Sequence, residues 1–377
     1  MSSLKSIPKE LIEEGERVMR VCNACRYCEG FCAVFPAMER RLTFGEADLN
    51  YLANLCHNCS ECYYACQYAP PQEFELNFPK TMAEIRGETY QKYAWPGFLA
   101  GLFSRNGLVV SLVTAASLAL FFIFMFAFIK PSVMFSAHSD ADGAFYAVMH
   151  HDAMTYPFAA VFLFVIASFV MGCVRFWRDT GGKFGDLMNP VSVGQAVVDT
   201  LKLRYLDGGG DGCAYPADVP SNARRWFHHM TFYGFALCFL ATSLGVIYTY
   251  VFGWPAPYKF FSLPVMAGTI GGVGLLVGPA GLLWLKGMRN SALSDPKQTG
   301  MDIGFLVLLF LTSLSGLLLL AFRETPAMGV LLGAHLGMVM ALFVTLPYGK
   351  FAHAIYRFAA LIRNAYEKRH MPQLGAE

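Results

Sequence analysis

The chain has 377 residues, of which 55% are hydrophobic and only 15% are charged, and its formal net charge is +2. These proportions exclude an ordinary soluble globular domain and indicate a membrane protein. The net charge itself says little about partners, and we expect no nucleic-acid partner.

Two cysteine runs of identical spacing lie near the N-terminus. They are Cys22-x2-Cys25-x2-Cys28-x3-Cys32 and Cys56-x2-Cys59-x2-Cys62-x3-Cys66. This is the bacterial spacing for [4Fe–4S] clusters, in which the fourth Cys commonly binds the neighbouring cluster. We therefore assign the eight thiols to two crossed sets. One set is Cys22, Cys25, Cys28 and Cys66, and the other is Cys56, Cys59, Cys62 and Cys32.

Four disulfides or two zinc sites are the alternative interpretations of eight cysteines. Zinc sites usually pair two C-x2-C halves across a longer gap and need no further Cys three residues on. Disulfides need an oxidising compartment, and residues 1–20 contain no apolar signal core. The doubled spacing therefore favours two iron–sulfur clusters, which would make the chain a carrier of single electrons.

The pattern predicts a mainly α-helical chain with four regions. Residues 1–94 form an α-helical, ferredoxin-like domain with the two clusters, and residues 95–106 form a linker or interfacial segment. Residues 107–357 form a six-helix transmembrane bundle that contains a cytoplasmic loop at 178–227. Residues 358–377 form a basic cytoplasmic tail.

Six segments are long and apolar enough to cross a bilayer. They are Leu108–Ile129, Phe158–Val174, Met230–Val251, Phe261–Leu285, Ile303–Phe322 and Met328–Pro347. Lys and Arg concentrate in the loops after the second and fourth spans and in the tail. By the positive-inside rule, we expect a bacterial inner-membrane protein with both termini in the cytoplasm.

Histidines lie near both ends of the predicted bundle. The cytoplasmic group is His228, His229 and His353, and the outer group is His150, His151 and His335. His335 and His353 are 18 residues apart, so they share one face about 27 Å apart if the helix is continuous. Two imidazoles that face each other across a bundle core make an axial haem site. We predict a b haem between His353 and His229 or His228, and we leave open a second haem at the outer group.

Arg224 and Arg225 precede the histidine pair and offer positive charge at the cytoplasmic end of the third span. They could bind haem propionates, or they could contact anionic lipid head groups, as basic residues at this depth commonly do. Both interpretations remain open at the level of the sequence.

The last span, from Gly333 to His353, resembles the final haem helix of the respiratory nitrate reductase gamma subunit family. That family has two histidines 18 residues apart there, one for each of two b haems. Its partner helix opens with Phe-His and carries a second His ten residues on. The segment Phe227–His229 resembles the opening, and Gly234 favours His229 as the match. Ten residues beyond lies Phe239, so the resemblance supplies no ligand for a second haem.

The whole chain resembles the tricarballylate utilization protein B family. The match covers the doubled cysteine motif, the six spans and the stretches Leu203–Pro216 and Arg224–Gly234. The resemblance implies a membrane protein that reoxidises the FADH2 of a separate flavoprotein, tricarballylate dehydrogenase, through two [4Fe–4S] clusters and b haem. The electrons would pass to membrane quinone. This chain has no flavin-binding domain, so we expect the flavin to belong to the partner.

Two other functional classes remain open, and the chain shows no constellation for substrate chemistry of its own. It could be the membrane arm of a disulfide-reducing or sulfur-metabolising complex, or a non-enzymatic redox sensor. Three cysteines lie outside the two runs. Cys173 and Cys238 suit apolar packing within spans, and Cys213, after a Gly-rich turn, has no assigned role.

Overall fold

The computed structural model describes residues 6–138 and 143–374. Within them the chain is mainly α-helical, and its only sheet is one pair of two-residue strands. This confirms the predicted fold class. The outermost parts of the first and last predicted regions, residues 1–5 and 375–377, lie outside the described residues.

Five helices build the N-terminal region around the two cysteine runs. They are α1 (Lys9–Cys25), α2 (Val34–Met38), α3 (Glu46–Leu55), α4 (Glu61–Tyr64) and α5 (Phe78–Tyr93). Helices α1, α3 and α5 pack closely because α1 carries Gly15, where a Cβ would lie 2.9 Å from Ile85 of α5. The first cysteine run begins within the last turn of α1, and the second begins directly after α3. The two loops are thus held by one small helical core.

Among the described residues, six helices are long and apolar enough to cross a membrane, which is consistent with a multi-pass membrane protein. They are α6 (Asn106–Phe128), α9 (His151–Asp179), α12 (Ala223–Tyr250), α13 (Leu263–Met288), α14 (Thr299–Phe322) and α15 (Met328–Thr345). The second of them is longer than the predicted span, which we began at Phe158. Hydropathy defines the apolar centre of a span, whereas helical hydrogen bonding continues through its polar ends.

Glycines bring α12 and α13 into backbone contact. A Cβ at Gly271 would lie 2.7 Å from the carbonyl oxygen of Gly234, and one at Gly274 would lie 2.9 Å from the carbonyl oxygen of Met230. Larger residues would hold the helices apart, so these positions keep α12 tight against its neighbour.

Short elements connect the long helices. They are α7 (Pro131–Met134), α8 (Ala144–Val148), α10 (Phe184–Leu187), α11 (Pro190–Leu201), β1 (Cys213–Ala214), β2 (Pro220–Ser221) and the 3₁₀ turns Gly97–Phe103, Ser291–Leu293, Pro296–Gln298 and Leu346–Tyr348. The strands pair antiparallel, with Cys213 opposite Ser221.

The last span is not continuous with the helix that carries His353. Helix α15 ends at Thr345, a 3₁₀ turn follows, Gly349 is extended, and α16 begins at Ala352 and ends at His370. Pro347 lies in the turn and has no N–H to continue the helical ladder. The single-face geometry and the 27 Å separation expected for His335 and His353 therefore do not apply.

Helix α16 is a packed element that crosses the boundary we predicted between residues 357 and 358. Its core-facing residues Ala360 and Ile362 are buried, and Glu367 forms an ion pair of 2.6 Å with Arg41 of the N-terminal region. The charged residues of this region suggested a solvated basic tail, but Glu367 among them pairs with the buried Arg41. The last helix thus joins the bundle to the cysteine region.

Candidate functional site

The first cysteine site combines three thiols of the first run with the last thiol of the second run. Burial and the nearby thiols of Cys28, Cys66 and Cys25 raise the pKa of Cys22. These four residues, together with Cys62, line a cavity of about 270 Å³. The structure therefore brings together one of the two predicted sets.

The second cysteine site gathers the complementary set. Burial and the neighbouring thiols of Cys59, Cys56 and Cys32 raise the pKa of Cys62. The pKa of Cys32 is likewise raised, first by burial and then by the nearby thiols of Cys59 and Cys56, although Cys32 belongs to the first run. The thiols of this set thus lie near one another, and their binding to one cluster stays a prediction.

The surroundings of the thiols fit iron–sulfur ligation. The backbone N–H of Asn58 donates to Sγ of Cys56 and that of Tyr68 donates to Sγ of Cys66, both at 3.4 Å. Donors to sulfur stabilise thiolate charge and tune cluster potentials. Within the described residues, no group of His, Cys, Asp and Glu is arranged to hold a single metal ion. A cluster instead spreads its four ligands over four separate iron atoms.

Arg224, for which haem propionates and lipid head groups were both left open, holds the second cysteine loop. Its Nη1 donates to the carbonyl oxygen of Asn58 at 2.6 Å and its Nη2 to that of His57 at 3.0 Å. Arg225 turns away, donating to the carbonyl oxygen of Lys202 at 2.8 Å. Neighbouring residues on a helix point about 100° apart, so the two guanidinium groups have different surroundings. Both guanidinium groups therefore donate to backbone carbonyl oxygens, and neither is available beside the histidine pair to bind an anion.

Two further arginines hold the same loop, and sequence reasoning missed both. Nη1 of Arg86 and Nη2 of Arg357 each donate to the carbonyl oxygen of Cys56, at 2.6 and 2.5 Å. Burial lowers the pKa of Arg357 to about 10, since its neighbours include Arg86 and Arg224. These cations surround the second site with positive charge. No local pattern could indicate this, because the residues come from α5, α12 and α16.

His57 is the second residue that the sequence interpretation overlooked. It follows Cys56 directly, whereas the first run has Asn23 at that place. Its ring is buried, with Nδ1 3.1 Å from the carbonyl oxygen of Leu55. Burial, Arg357, Arg224 and His228 lower its pKa well below the usual value, so the ring is neutral. His57 therefore lies where the second cysteine loop meets the bundle.

His228 and His353 face each other at this junction. Their ring centroids are 6.3 Å apart, with ring planes at 85°. Two metal–nitrogen bonds of about 2 Å, with the distance from each nitrogen to its ring centre, give roughly 6 Å between centroids. The pair thus has a spacing that would suit two imidazole ligands of one iron atom.

The hydrogen bonds of the two rings also fit metal ligation. Nδ1–H of His353 donates to the carbonyl oxygen of Lys350 at 2.5 Å, which leaves Nε2 with its lone pair. Burial, with Arg357, Lys350 and His228, lowers the pKa of His353 and keeps the ring neutral. Nδ1 of His228 is buried without a hydrogen-bond partner. The two rings could therefore hold the iron of a b haem.

His229, which the resemblance favoured, points elsewhere. Its ring lies beside Tyr233 and Trp226, with centroids 5.7 and 6.3 Å away. It follows His228 on α12 and is therefore turned about 100° from the face that meets His353. The structure brings together His228 and His353, and not His229 and His353.

The outer histidines do not form a second pair. Nδ1 of His335 lies 3.0 Å from Oγ of Ser315 inside the bundle. His151 packs between the rings of Tyr146 and Tyr250 at the end of α9, and His150 is exposed beside it. His335 lies seven residues into α15, about 10 Å from the start of that helix. It is therefore at a different depth from His150 and His151, which lie at the start of α9.

Cys213 lies at the second cysteine site, although the sequence assigned it no role. Its thiol is buried and hydrogen-bonds Cys59, which lowers the pKa of Cys59 to about 7. The backbone N–H of Ala214 donates to a carboxylate oxygen of Glu61 at 2.7 Å, which fixes β1 against α4. The Gly-rich turn before Cys213 was the sequence signal for this position, because glycines let the backbone approach the second cysteine site closely.

Taken together, the thiols, the helical core around them and the six apolar helices define an iron–sulfur electron-transfer protein of the multi-pass membrane type. Two family models match the chain. Citrate utilization protein B matches residues 102–373, and the citrate utilization protein B Fer4-like domain matches residues 15–92. The chain belongs to the citrate utilization protein B family, which confirms the family type that the sequence predicted. It is 52% identical to citrate utilization protein B of Escherichia coli over 99% of both chains. No solved structure matches.

Proposed function

We propose that the chain reoxidises the FADH2 of a partner flavoprotein dehydrogenase and delivers the electrons to membrane quinone. Two [4Fe–4S] clusters and one b haem are the proposed bound carriers, and they supply one-electron redox chemistry. Tricarballylate dehydrogenase or a related tricarboxylate-oxidising flavoprotein is the proposed partner. The clustered charges of the loops support a cytoplasmic position for the cysteine region and both termini.

The observation that carries the proposal is the junction between the second cysteine loop and the bundle. Arg224 and Arg357 donate to the carbonyls of residues 54–58 and arise from the same two helices as the facing histidines. His228 lies four residues after Arg224, and His353 lies four residues before Arg357. Each arginine therefore shares a helix face with one histidine. This arrangement fixes the histidine pair beside the second cysteine site.

The open side of the first site supports it as the point of entry. The cavity at Cys22, Cys25, Cys28 and Cys66 opens beside Tyr27, which is 68% exposed. Cys56 and Cys59 of the second site are buried. A soluble partner can approach the first set of thiols, whereas the second set faces the bundle.

The proposal is tested with the full-length chain purified anaerobically in detergent. We expect a b-type haem spectrum, two cluster EPR signals and reduction of the haem by the flavoprotein and its substrate. Replacement of His353 by Ala should remove the haem spectrum and leave both cluster signals. The matched control is His229→Ala, which should keep the haem. A haem-free wild-type chain that transfers electrons at full rate would refute the proposed route.

A further inference from the structure

A second cavity lies inside the helical bundle, apart from the thiols and from the histidine pair. Its volume is about 290 Å³, and helices α12, α13, α14 and α15 enclose it. Most of its lining is apolar, with Leu275, Leu309 and Leu342 forming its deepest wall. Such a cavity, with few polar groups, suits one ring of a small apolar molecule.

His335 is the one imidazole in the lining of this cavity, within the described residues. Oγ of Ser315 donates its single hydrogen to the carbonyl oxygen of Thr312 at 2.9 Å. The same oxygen must therefore accept from Nδ1–H of His335, 3.0 Å away. Nε2 then keeps a lone pair that can accept a hydrogen bond from a ligand hydroxyl. Gly316 leaves room for the ring, since a Cβ there would lie 2.8 Å from Cε1 of His335.

The cavity has an opening on the lipid-facing side of the bundle. Phe239 and Thr242 line it and are exposed on the surface of α12. The ring of Phe343, also in the lining, lies 6.1 Å from that of Phe162, which in turn lies 5.9 Å from Phe239. These rings form a packed aromatic edge, and an apolar molecule dissolved in the bilayer can enter beside it, where Phe239 and Thr242 are exposed.

Two aromatic rings connect the cavity to the region of the facing histidines. Phe235 lines it and packs against Phe351, with ring centroids 5.2 Å apart. Phe351 lies two residues before His353. Phe235 lies seven residues after His228, two turns along the same face of α12 and about 10 Å away. The cavity is therefore within electron-transfer reach of the histidine pair.

The geometry points to this cavity as the binding site for the head group of a membrane quinone. Nε2 of His335 accepts a hydrogen bond from a hydroxyl of the reduced ring. The cavity offers one imidazole, and not the facing pair with which the sequence analysis left a second haem open. This inference rests on the proposed function and identifies where its acceptor binds.

The chemistry balances with groups already named. FADH2 of the partner becomes FAD, losing two electrons and two protons. The quinone gains two electrons, delivered singly through the chain, and two protons from water, and an O–H bond forms at each of its two oxygens. The reduced ring then leaves through the opening beside Phe239.

The test measures binding of decylubiquinone, and of menadione in a parallel arm, to the full-length chain in lipid nanodiscs. We expect His335→Phe, which keeps a ring of similar size but removes the acceptor, to weaken binding of one probe about tenfold or more. His335→Gln, whose amide oxygen accepts a hydrogen bond, should recover part of the affinity. The control His151→Phe replaces a histidine outside the cavity and should leave affinity unchanged. Both cluster signals and the haem spectrum should be intact in every variant.

Unchanged affinity in both His335 variants would overturn the inference, as would failure of the wild-type chain to bind either probe. Loss of about half of the haem in His335→Phe would overturn it differently, because it would place haem at His335. A different result would contradict the proposed function and leave the quinone site standing. In that result, quinone binds with the predicted dependence on His335, but quinone does not reoxidise a chain that the flavoprotein has reduced.

Discussion

The two cysteine sites have the same spacing in the sequence and contrasting surroundings in the structure. The first opens to the surface beside Tyr27, which is 68% exposed, whereas Cys56 of the second is 6% exposed. The second is enclosed by residues from α5, α12 and α16, which hold the loop through its carbonyl groups. A ligand motif thus defines which thiols bind, while distant segments decide whether a site receives electrons or passes them on.

The largest expected effect comes from breaking the crossed ligation. Cys66→Ser should remove the first cluster and about half of the iron and sulfide, because Cys66 lies with Cys22 although it follows the second run. Cys32→Ser should remove the second cluster instead. Iron and sulfide analysis with EPR distinguishes the two variants. The control Cys173→Ser changes a thiol in α9 and should leave both signals. Damage confined to the second cluster in Cys66→Ser would contradict the crossing.

The next effect tests how α16 supports the enclosed site. Arg41 binds both carboxylate oxygens of Glu367, at 2.6 and 3.1 Å, and both side chains are buried. Glu367→Gln removes the charge of one of two carboxylates that pair with Arg41, since Oδ1 of Asp48 lies 2.7 Å from its Nε, and should cost about 2 kcal/mol of stability, measured as a lower thermal unfolding temperature. The haem spectrum should be lost before the first cluster. The control Glu13→Gln removes an exposed pair with Lys9 and should change nothing measurable.

The same pair predicts a dependence on pH. Burial opposes ionisation of Glu367, but the hydrogen bonds and charge of Arg41 outweigh it and lower the pKa of the carboxyl below 4.5. A carboxyl whose pKa is lower in the folded than in the unfolded chain stabilises the fold when the pH is above the unfolded-state pKa. That stabilisation is lost as the pH falls through the folded-state pKa. The stability gap between the wild-type chain and Glu367→Gln should therefore be constant near pH 7 and close below about pH 4.5. A gap that widens in acid would contradict the assignment.

Much of this arrangement was predictable, and the limits of prediction have physical causes. Hydropathy predicted the six apolar helices, because it is a local pattern. The repeated cysteine spacing led to the prediction of two crossed sets, whose ligation the Cys66 and Cys32 variants test. The choice between His228 and His229 depends on the rotation of α12, which the packing of Gly234 on α13 determines. Likewise, the break after Thr345 depends on how Pro347 is accommodated.

The enclosing charges could not be predicted for a different reason. Arg357 and Cys213 lie far from the second run in sequence, and Arg86 follows its last Cys by 20 residues, but all three reach it only through the packing of α16, β1 and α5. Contacts between separate segments leave no pattern in a single sequence. His57 had a weak signal, since it replaces Asn23 at the matching place in the first run.

A smaller effect should follow from removing one of these charges. Arg224→Met deletes a cation that donates to the carbonyls of His57 and Asn58. Reduction adds negative charge to a cluster, so a nearby cation favours the reduced state and raises the potential. The potential of the second cluster should fall by about 60 mV, a tenfold change for a one-electron couple. A redox titration followed by EPR measures it. Arg225→Met, on the neighbouring position, should leave it unchanged.

The smallest effect sharpens the comparison most, because it concerns a thiol that only the second site has. Cys213 donates a weak S–H hydrogen bond to Cys59, and donors to ligand sulfur raise cluster potentials by withdrawing charge. Cys213→Ala should lower the potential of the second cluster by roughly 30 mV. This is about half of the roughly 60 mV that corresponds to a tenfold change for a one-electron couple. The first cluster should not change, and iron content should stay complete.

Cys213→Ser keeps a donor and should restore most of the shift, while Cys173→Ala serves as the control. Loss of iron in Cys213→Ala would instead make this thiol a ligand, so that the enclosed site would differ from the open one in ligation as well as in surroundings.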